Sequence, residues 1–538
     1  MTAPLLPAPG RRSLLGAGVA GLLLVSTPSV AATPGPAVSR PVAPSRSRVR
    51  HGPRVAWPFT LGVASGDPTP RGVVLWTRLA PEPLHPDGHG GMPGREVRVD
   101  WQVAEDAAFT RVVRRGSVRA VRAWAHSVHV EVDGLAPGAA YHYRFRAEGH
   151  VSPAGRTRTA PATGSSPDAL TQAVASCADY EHGFFTGYRR LAEDDPDLVL
   201  HLGDYLYELG PDDYVAWPGN VRQHLGHETR TLADYRQRHA QYKTDPDLQH
   251  AHAAVPWSVV FDDHEIDANW AADVPQVPQR HFARRRAAAF RAYYEHMPLR
   301  RTSLPRGADM RVHRRLRWGD LATIHLLDTR QYRADQACGD TRVVGCAARL
   351  DPQRSILGDR QERWLLDGLS ASRGTWDLLA QQVFFAQKDS RPGPEQEFAM
   401  DGWDGYAAAR RRLMAGFVDR GVRNPVVLTG DVHRHYASDL RLDFDDPSTR
   451  PVGVELVTTS ITSGGDGRDR TPVTDVQLAE NPHLRFASSR RGYVLARLER
   501  DHLRADFKTL GYVRKPGAPA SVAASFVVEE GRPGLRRV

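Results

Sequence analysis

The chain has 538 residues, of which 41% are hydrophobic and 25% charged, and a formal net charge of +9. This is ordinary globular material, long enough for two or three domains, and it excludes a fibrous or wholly disordered protein. The basic excess is carried by arginine, with lysine only at 243, 388, 508 and 515, so compositional bias accounts for it; a mild preference for polyanionic or nucleotide substrates fits it better than a dedicated nucleic-acid surface.

Residues 1–32 read as a secretory signal. Arg11-Arg12-Ser13-Leu14-Leu15 precedes a short apolar region, GAGVAGLLLV, and small residues around Ser29-Val30-Ala31-Ala32. The adjacent arginines point to the twin-arginine route, which makes the twin-arginine translocase an expected partner and the expected location secreted. Residues 33–56, rich in Pro, Arg, Ser and Ala, read as a disordered stalk. No later apolar run approaches the ~20 residues that span a bilayer, so no stable membrane anchor is expected.

Residues 57–160 carry short alternating stretches broken by Gly, Pro and Asp, and read as an all-β domain. Its end, with Leu135, Pro137-Gly138 and Tyr141, Tyr143 and Phe145 in alternation, resembles a fibronectin type III or immunoglobulin-like sandwich, with the three aromatics on one face. PATGSSPD (161–168) is a linker. From residue 169 to 538 strands alternate with helical stretches at 231–244, 280–297 and 357–370, the mark of an α/β domain. SVAASFVVEEG reads as a final strand, and the tail beyond residue 500 is a candidate cover for the site.

Five apolar runs in this second region end in metal-binding side chains. They are TQAVASC (171–177), LVLHLGDYLY (198–207), WSVVFDDHE (257–265), IHLLDTRQY (324–332) and PVVLTGDVHRH (425–435). Buried strands ending in Asp, His, Cys and Tyr bring those side chains to a sheet edge, where open α/β sheets hold ligands. Asp204 follows a strand after a turn glycine, and Tyr207 lies one turn on. Asp262, Asp263 and Glu265 crowd His264, an arrangement that needs a cation or proton to offset it. Asp431 and His433, two apart, point the same way if extended. Each motif alone has a plain structural reading. Cys338 and Cys346, close in a loop-like segment, are the expected disulfide, which leaves Cys177 unpaired, as a small core residue or as a ligand.

In order, GD-xx-Y, a DDHE block and GDVH resemble the calcineurin-like metallophosphoesterases. FTLGVASGDP, VLWTRL, DDHEIDANW, LLDTRQYR, WDGY and GDVHRHYASDL bring the resemblance closer, to the PhoD-type alkaline phosphatases, over nearly the whole chain. The resemblance implies an α+β/α/β fold: a metallophosphoesterase double-sheet sandwich flanked by helices, behind the all-β N-terminal domain. It also implies Fe(3+) held by Cys177, Asp204, Tyr207 and His433, with Asp204 bridging to Ca(2+) held by Asp263 and Asp431. Thiolate, phenolate and imidazole suit iron, and an all-oxygen set suits calcium. Ala268 departs from the asparagine expected there, so any amide ligand nearby is Asn269. The implied activity is hydrolysis of phosphate monoesters and diesters by attack of a metal-activated hydroxide, with His264 as catalytic acid or phosphate-steering group. Tyr205 is expected to pack outside the ligand set, His435 to orient His433, and Arg330 and Arg434 to meet phosphate or lie in salt bridges. Two other readings stand beside this one: a phospholipase D-like diesterase acting on lipid or teichoic-acid polymers, and a calcium-stabilised cell-wall-binding protein without turnover.

Overall fold

Four strands with almost unbroken apolar composition, Ala322–Leu326, Trp376–Ala380, Pro425–Thr429 and Pro451–Val457, run parallel at the centre of a seven-stranded sheet. Such runs are stable only where both faces are covered. Alternate side chains go to different cores. Ile324, Leu326, Leu378, Ala380, Val426 and Leu428 enter one shared with a second sheet. Leu327, Leu379, Val427 and Val457 lie in another, with Leu365, Leu413 and Phe417 of the helices Gly358–Ser370 and Ala407–Asp419. These observations belong to a computed structural model that describes residues 55–538. The expected signal and, but for residues 55 and 56, the expected stalk lie outside the described residues.

The second sheet has ten strands. Leu170–Ala175, Leu198–His201 and Trp257–Val259 are parallel, and the crossovers between them carry the helices Thr186–Glu193, Leu232–Lys243 and Pro246–Ala254. Thr231 and Asp234 form a capping box at the second of these, satisfying amides that a helix start leaves unpaired. The two sheets are stitched at the functional edge. Ser176 and Ser460 make an isolated parallel bridge, and Thr458 Oγ1 donates to the Val174 carbonyl at 2.9 Å. The result is a double-sheet sandwich with helices outside it.

The segment from 57 to 160 contains strands and one three-residue 3₁₀ turn, Arg122–Trp124. Tyr141, Tyr143 and Phe145 share one buried face, packed with Val73, Leu75, Val128 and Val130. The layer supplying those valines is not private to the segment. Val63–Thr69 pairs parallel with Trp257–Val259, so three N-terminal strands extend the ten-stranded sheet. The tail beyond residue 500 likewise forms sheet, not a cover: His502–Leu510, Ala520–Glu529 and Arg532–Arg537 build the opposite edge. Their buried faces carry Leu503, Ala505, Phe507, Phe526 and Val528, whose apolar surface is better satisfied in the core than over a polar cleft. The Cys338–Cys346 disulfide is present, closing a loop whose strand Arg342–Val344 pairs with Glu397–Ala399.

Candidate metal centre

Both sheets deliver the ends of their parallel strands to the same edge. The turns after Ala175 and His201 bring Cys177 and Asp204, the turn after Val259 brings Asp262 to Glu265, and the turn after Thr429 brings Asp431 and His433. Their backbone is unusual. Cys177, Asp204, Asp431 and His433 all have left-handed φ, at 60°, 51°, 62° and 55°. Each such residue costs about 1–2 kcal/mol, and the conformation persists only where the surroundings over-determine it. Here the bracing is explicit. Cys177 N donates to the Gly203 carbonyl at 3.1 Å and Ala178 N to that of Asp204 at 2.9 Å. The Glu265 carboxylate accepts from the amides of Asp204, Tyr205 and Asp262 at 3.1, 2.8 and 2.9 Å. Glu265 therefore ties two turns together instead of facing the cleft.

The candidate side chains converge in three overlapping groups: Cys177, Asp204 and His433; Asp204, Asp263 and His264; and Asp262, Asp263 and Asp431. Within each group the ligand atoms lie within 4.8 Å of one another. Tyr207 joins the first, donating its hydroxyl to Asp204 Oδ2 at 3.2 Å and meeting His433 Nε2 at 3.0 Å. Asp431 and His433 do not reach the centre as an extended pair. With two left-handed residues so close, the segment is a tight bend, and the two side chains serve opposite ends of the constellation.

The electrostatics are those of an acid cluster that Arg330 and His264 offset only in part. Burial, reinforced by neighbouring carboxylates, pushes the Cys177 thiol, the Tyr207 phenol and the Asp204 carboxyl well up. Asp431 rises to about 7, first by burial and then by Asp401. Burial also raises Asp262. On Asp263 burial acts upward too, but Arg330 and His264 overcome it and hold that carboxylate ionised. Burial, with Arg491 and His264 adding to it, keeps His433 neutral, the form that ligates metals. Asp262 Oδ2 and Asp263 Oδ1 are buried with no hydrogen-bond partner, the latter meeting only Arg330 at 3.4 Å, and such oxygens are costly unless a cation or water satisfies them. Donor set and orphaned oxygens both fit bound metal.

His264 sits beside this set with its ring stacked on Tyr207, centroids 4.2 Å apart. Its Nδ1 lies 2.7 Å from Glu208 Oε2, and its Nε2 lies 3.9 Å from Asp263 Oδ2. Burial disfavours the imidazolium, but Glu208, Asp263 and Asp204 outweigh it and raise the pKa well above the ordinary value. Glu208, next to Tyr207 in GDYLYE, is a partner that sequence reasoning missed; a buried glutamate one residue past a metal-type motif was the available sign.

Other expectations change. Arg330 does not face phosphate: it is fully buried, 2.5 Å from Asp262, 2.9 Å from Asp401 and 3.4 Å from Asp263. Three carboxylates consume its donors, so it braces the acids from behind. His435 does not orient His433. It lies on the strand His435–Arg441, its Nδ1 accepting from Thr459 N at 3.2 Å and its Nε2 3.1 Å from the Lys508 carbonyl. Asn269 donates its backbone N–H to Asp263 Oδ2 at 2.7 Å and its side-chain amide to Asp340 at 2.9 Å, which makes it a support for Asp263. Tyr205 packs away from the centre, its hydroxyl 2.8 Å from His252 Nε2.

Comparison with known proteins decides the kinship. Residues 172–507 match the model of the PhoD-like phosphatase family, and residues 45–161 match that of the PhoD-like phosphatase N-terminal domain. The chain belongs to the PhoD-like phosphatases. It is 49% identical over 485 residues to alkaline phosphatase D of Bacillus subtilis (strain 168), covering 90% of this chain and 83% of that protein. A solved structure of PhoD superposes with a TM-score of 0.88 at 48% identity, covering 92% of this chain and 93% of that one. The protein is thus a phosphoric ester hydrolase, and neither the diesterase nor the cell-wall-binding reading is favoured by this kinship. No helix among the described residues is long and apolar enough to cross a membrane.

Proposed function

We propose that this PhoD-like phosphatase hydrolyses phosphate monoesters and diesters at a centre where Cys177, Asp204, Tyr207 and His433 hold Fe(3+), and Asp204, Asp263 and Asp431 hold Ca(2+). The observation that carries this reading is the overlap of the three ligand groups, with Asp204 common to two of them. Bound there, the cations would neutralise phosphoryl oxygens and lower the pKa of a water molecule. The chain's own residues do the rest. Glu265, Gly203 and Arg330 hold the strand-end turns in the one arrangement that gathers the donors. Glu208 fixes the His264 Nδ1 proton, which leaves Nε2 turned toward Asp263 and the cleft. From there His264 donates a proton to the departing oxygen or a hydrogen bond to the phosphoryl group. Thiolate, phenolate and imidazole suit iron, and the all-oxygen set suits a hard cation such as calcium.

Thiolate and phenolate on Fe(3+) absorb visible light, so the purified enzyme should be coloured. Elemental analysis should find iron and calcium. Cys177→Ala should abolish the colour and lower kcat at least about 100-fold, with the circular dichroism unchanged. A colourless wild type without iron, or an active Cys177→Ala variant, overturns the iron assignment. Export through the twin-arginine route is proposed from Arg11 and Arg12, and replacing both with lysine tests it by loss of secreted protein.

A further inference from the structure

Cys338 stands between two side chains that grip one residue of the acid cluster's support. Gln336, two residues before it, donates Nε2 to the Asn269 carbonyl at 2.7 Å and to Asp401 Oδ1 at 2.9 Å. Asp340, two residues after it, accepts on Oδ2 from Asn269 Nδ2 and Gln276 Nε2, both at 2.9 Å. Asn269 is thus held at its carbonyl and its side chain. It has a left-handed φ of 46° and donates its backbone N–H to Asp263 Oδ2 at 2.7 Å. Asp263 belongs to two of the three ligand groups of the centre.

The disulfide fixes this bracket. Cys338 and Gly339 are both left-handed, with φ of 56° and 89°, and their bend turns the chain so that Asp340 meets Asn269. Among the described residues, no backbone hydrogen bond holds residues 338–340. A non-glycine residue keeps such a conformation only where its surroundings impose it, and the bond to Cys346 does so here. Cys346 is the anchored partner, buried with Ala337, Phe398 and Met400. The rest of the loop has its own support: Arg342–Val344 pairs with Glu397–Ala399, and Met400 N donates to the Thr341 carbonyl at 3.0 Å. Opening the disulfide therefore frees the bend beside Asn269 and leaves the far side of the loop in place.

We infer that Gln336 and Asp340 are positioning residues for Asp263, set in place by the Cys338–Cys346 disulfide, so that calcium is held tightly only when this cysteine pair is oxidised. The inference rests on the reading of Asp263 as a calcium ligand and adds a redox control to it. Cys338 is exposed, and so open to thiol–disulfide exchange. Oxidation passes two electrons and two protons from the paired thiols to an incoming disulfide, which leaves as two thiols. Holoenzyme is stripped of calcium with a chelator and titrated with Ca(2+) by calorimetry, while iron is followed by elemental analysis. Cys338→Ser/Cys346→Ser should weaken calcium binding at least about tenfold, the scale for losing the support of a metal ligand, with iron content and circular dichroism unchanged. Wild type reduced by a trialkylphosphine, which takes oxygen from water and leaves as its oxide, should match the serine pair, and glutathione disulfide should restore it. Gln336→Ala/Asp340→Ala should reproduce the loss with the disulfide intact, and adding the serine pair should weaken binding no more than about twofold further. Asp340→Asn, which keeps an acceptor for Asn269, should stay within about threefold of the wild type. Calcium affinity unchanged by the serine pair or by reduction, losses that multiply in the combined variant, or iron lost along with calcium overturns the control. A wild type that binds no calcium removes the metal reading beneath it.

Discussion

Glu208 shows how one side chain sets the chemistry of another. Its Oε1 accepts the Ala268 amide at 2.9 Å, which fixes the carboxylate, and its Oε2 is 2.7 Å from His264 Nδ1. It is also the first of the groups that raise the His264 pKa against burial. Glu208→Gln keeps the volume and removes the charge, so the imidazolium should give up its proton at lower pH. If His264 protonates the leaving oxygen, rate is lost as pH climbs through that pKa, and the variant's alkaline limb must shift toward lower pH. The expected loss is about 100-fold in kcat for an alkyl phosphate and much less for 4-nitrophenyl phosphate, whose leaving group needs no proton. Equal losses on both substrates, with the pH profile unmoved, would reduce Glu208 to a packing role.

At the level of the strand and its turn, the decisive requirement is that chain ends from two sheets meet in a fixed register. Gly203 carries φ +105°, and a Cβ there would lie 2.4 Å from Asp262 Cβ and 2.6 Å from Asp262 N. The neighbouring turn cannot yield, because Glu265 binds both turns through three amides. Gly203→Ala should therefore destabilise the protein by about 2–4 kcal/mol and lower its bound metal. Calorimetry and elemental analysis read both, and an unshifted melting temperature with full metal content would refute the steric argument. This level was also the most legible in the sequence. Val, Leu and Ile runs ended by Asp, His and Cys announced the strands and the edge at which those side chains gather, because burial on both faces restricts residue choice. What the sequence hid were functions set by distant partners. Nothing local separates Glu265, turned to backbone amides, from Asp263, turned to the cleft, and nothing in LLDTRQYR reveals that Arg330 meets three aspartates from behind. The same holds for the first β segment, whose edge pairing with Trp257–Val259 depends on a register no local pattern encodes.

Across the whole molecule, that pairing creates a seam in which N-terminal strands close over helices of the second region. Lys243, the last residue of the helix Leu232–Lys243, is 1% exposed there. Its Nζ lies 4.5 Å from the ring centroid of Trp76, on the strand Gly72–Arg78, and 3.3 Å from His252 Nε2. No carboxylate pairs with it among the described residues, and burial pushes its pKa from 10.5 to about 7. A lysine depressed in the folded state opposes folding while both states hold the proton, below pH 7. Between about 7 and 10.5 the unfolded chain binds more protons than the folded one, so stability rises with pH through that window at up to about 1.4 kcal/mol per unit. The full contribution is present only above the unfolded value, and it is lost as pH falls through the folded one. The contribution of Lys243 should consequently favour folding more at pH 9 than at pH 6.5. Lys243→Met, which keeps the stem beside Trp76 and removes the titration, should diminish that gain by about 2 kcal/mol and raise stability most on the acid side. The comparison is a double difference between two proteins and two pH values, so titrating groups that do not feel the Lys243 charge cancel. An identical gain in wild type and variant would mean that the Lys243 ammonium reaches water or an anion in the folded protein, and that the seam between the N-terminal strands and the helices is not the dry contact its packing describes.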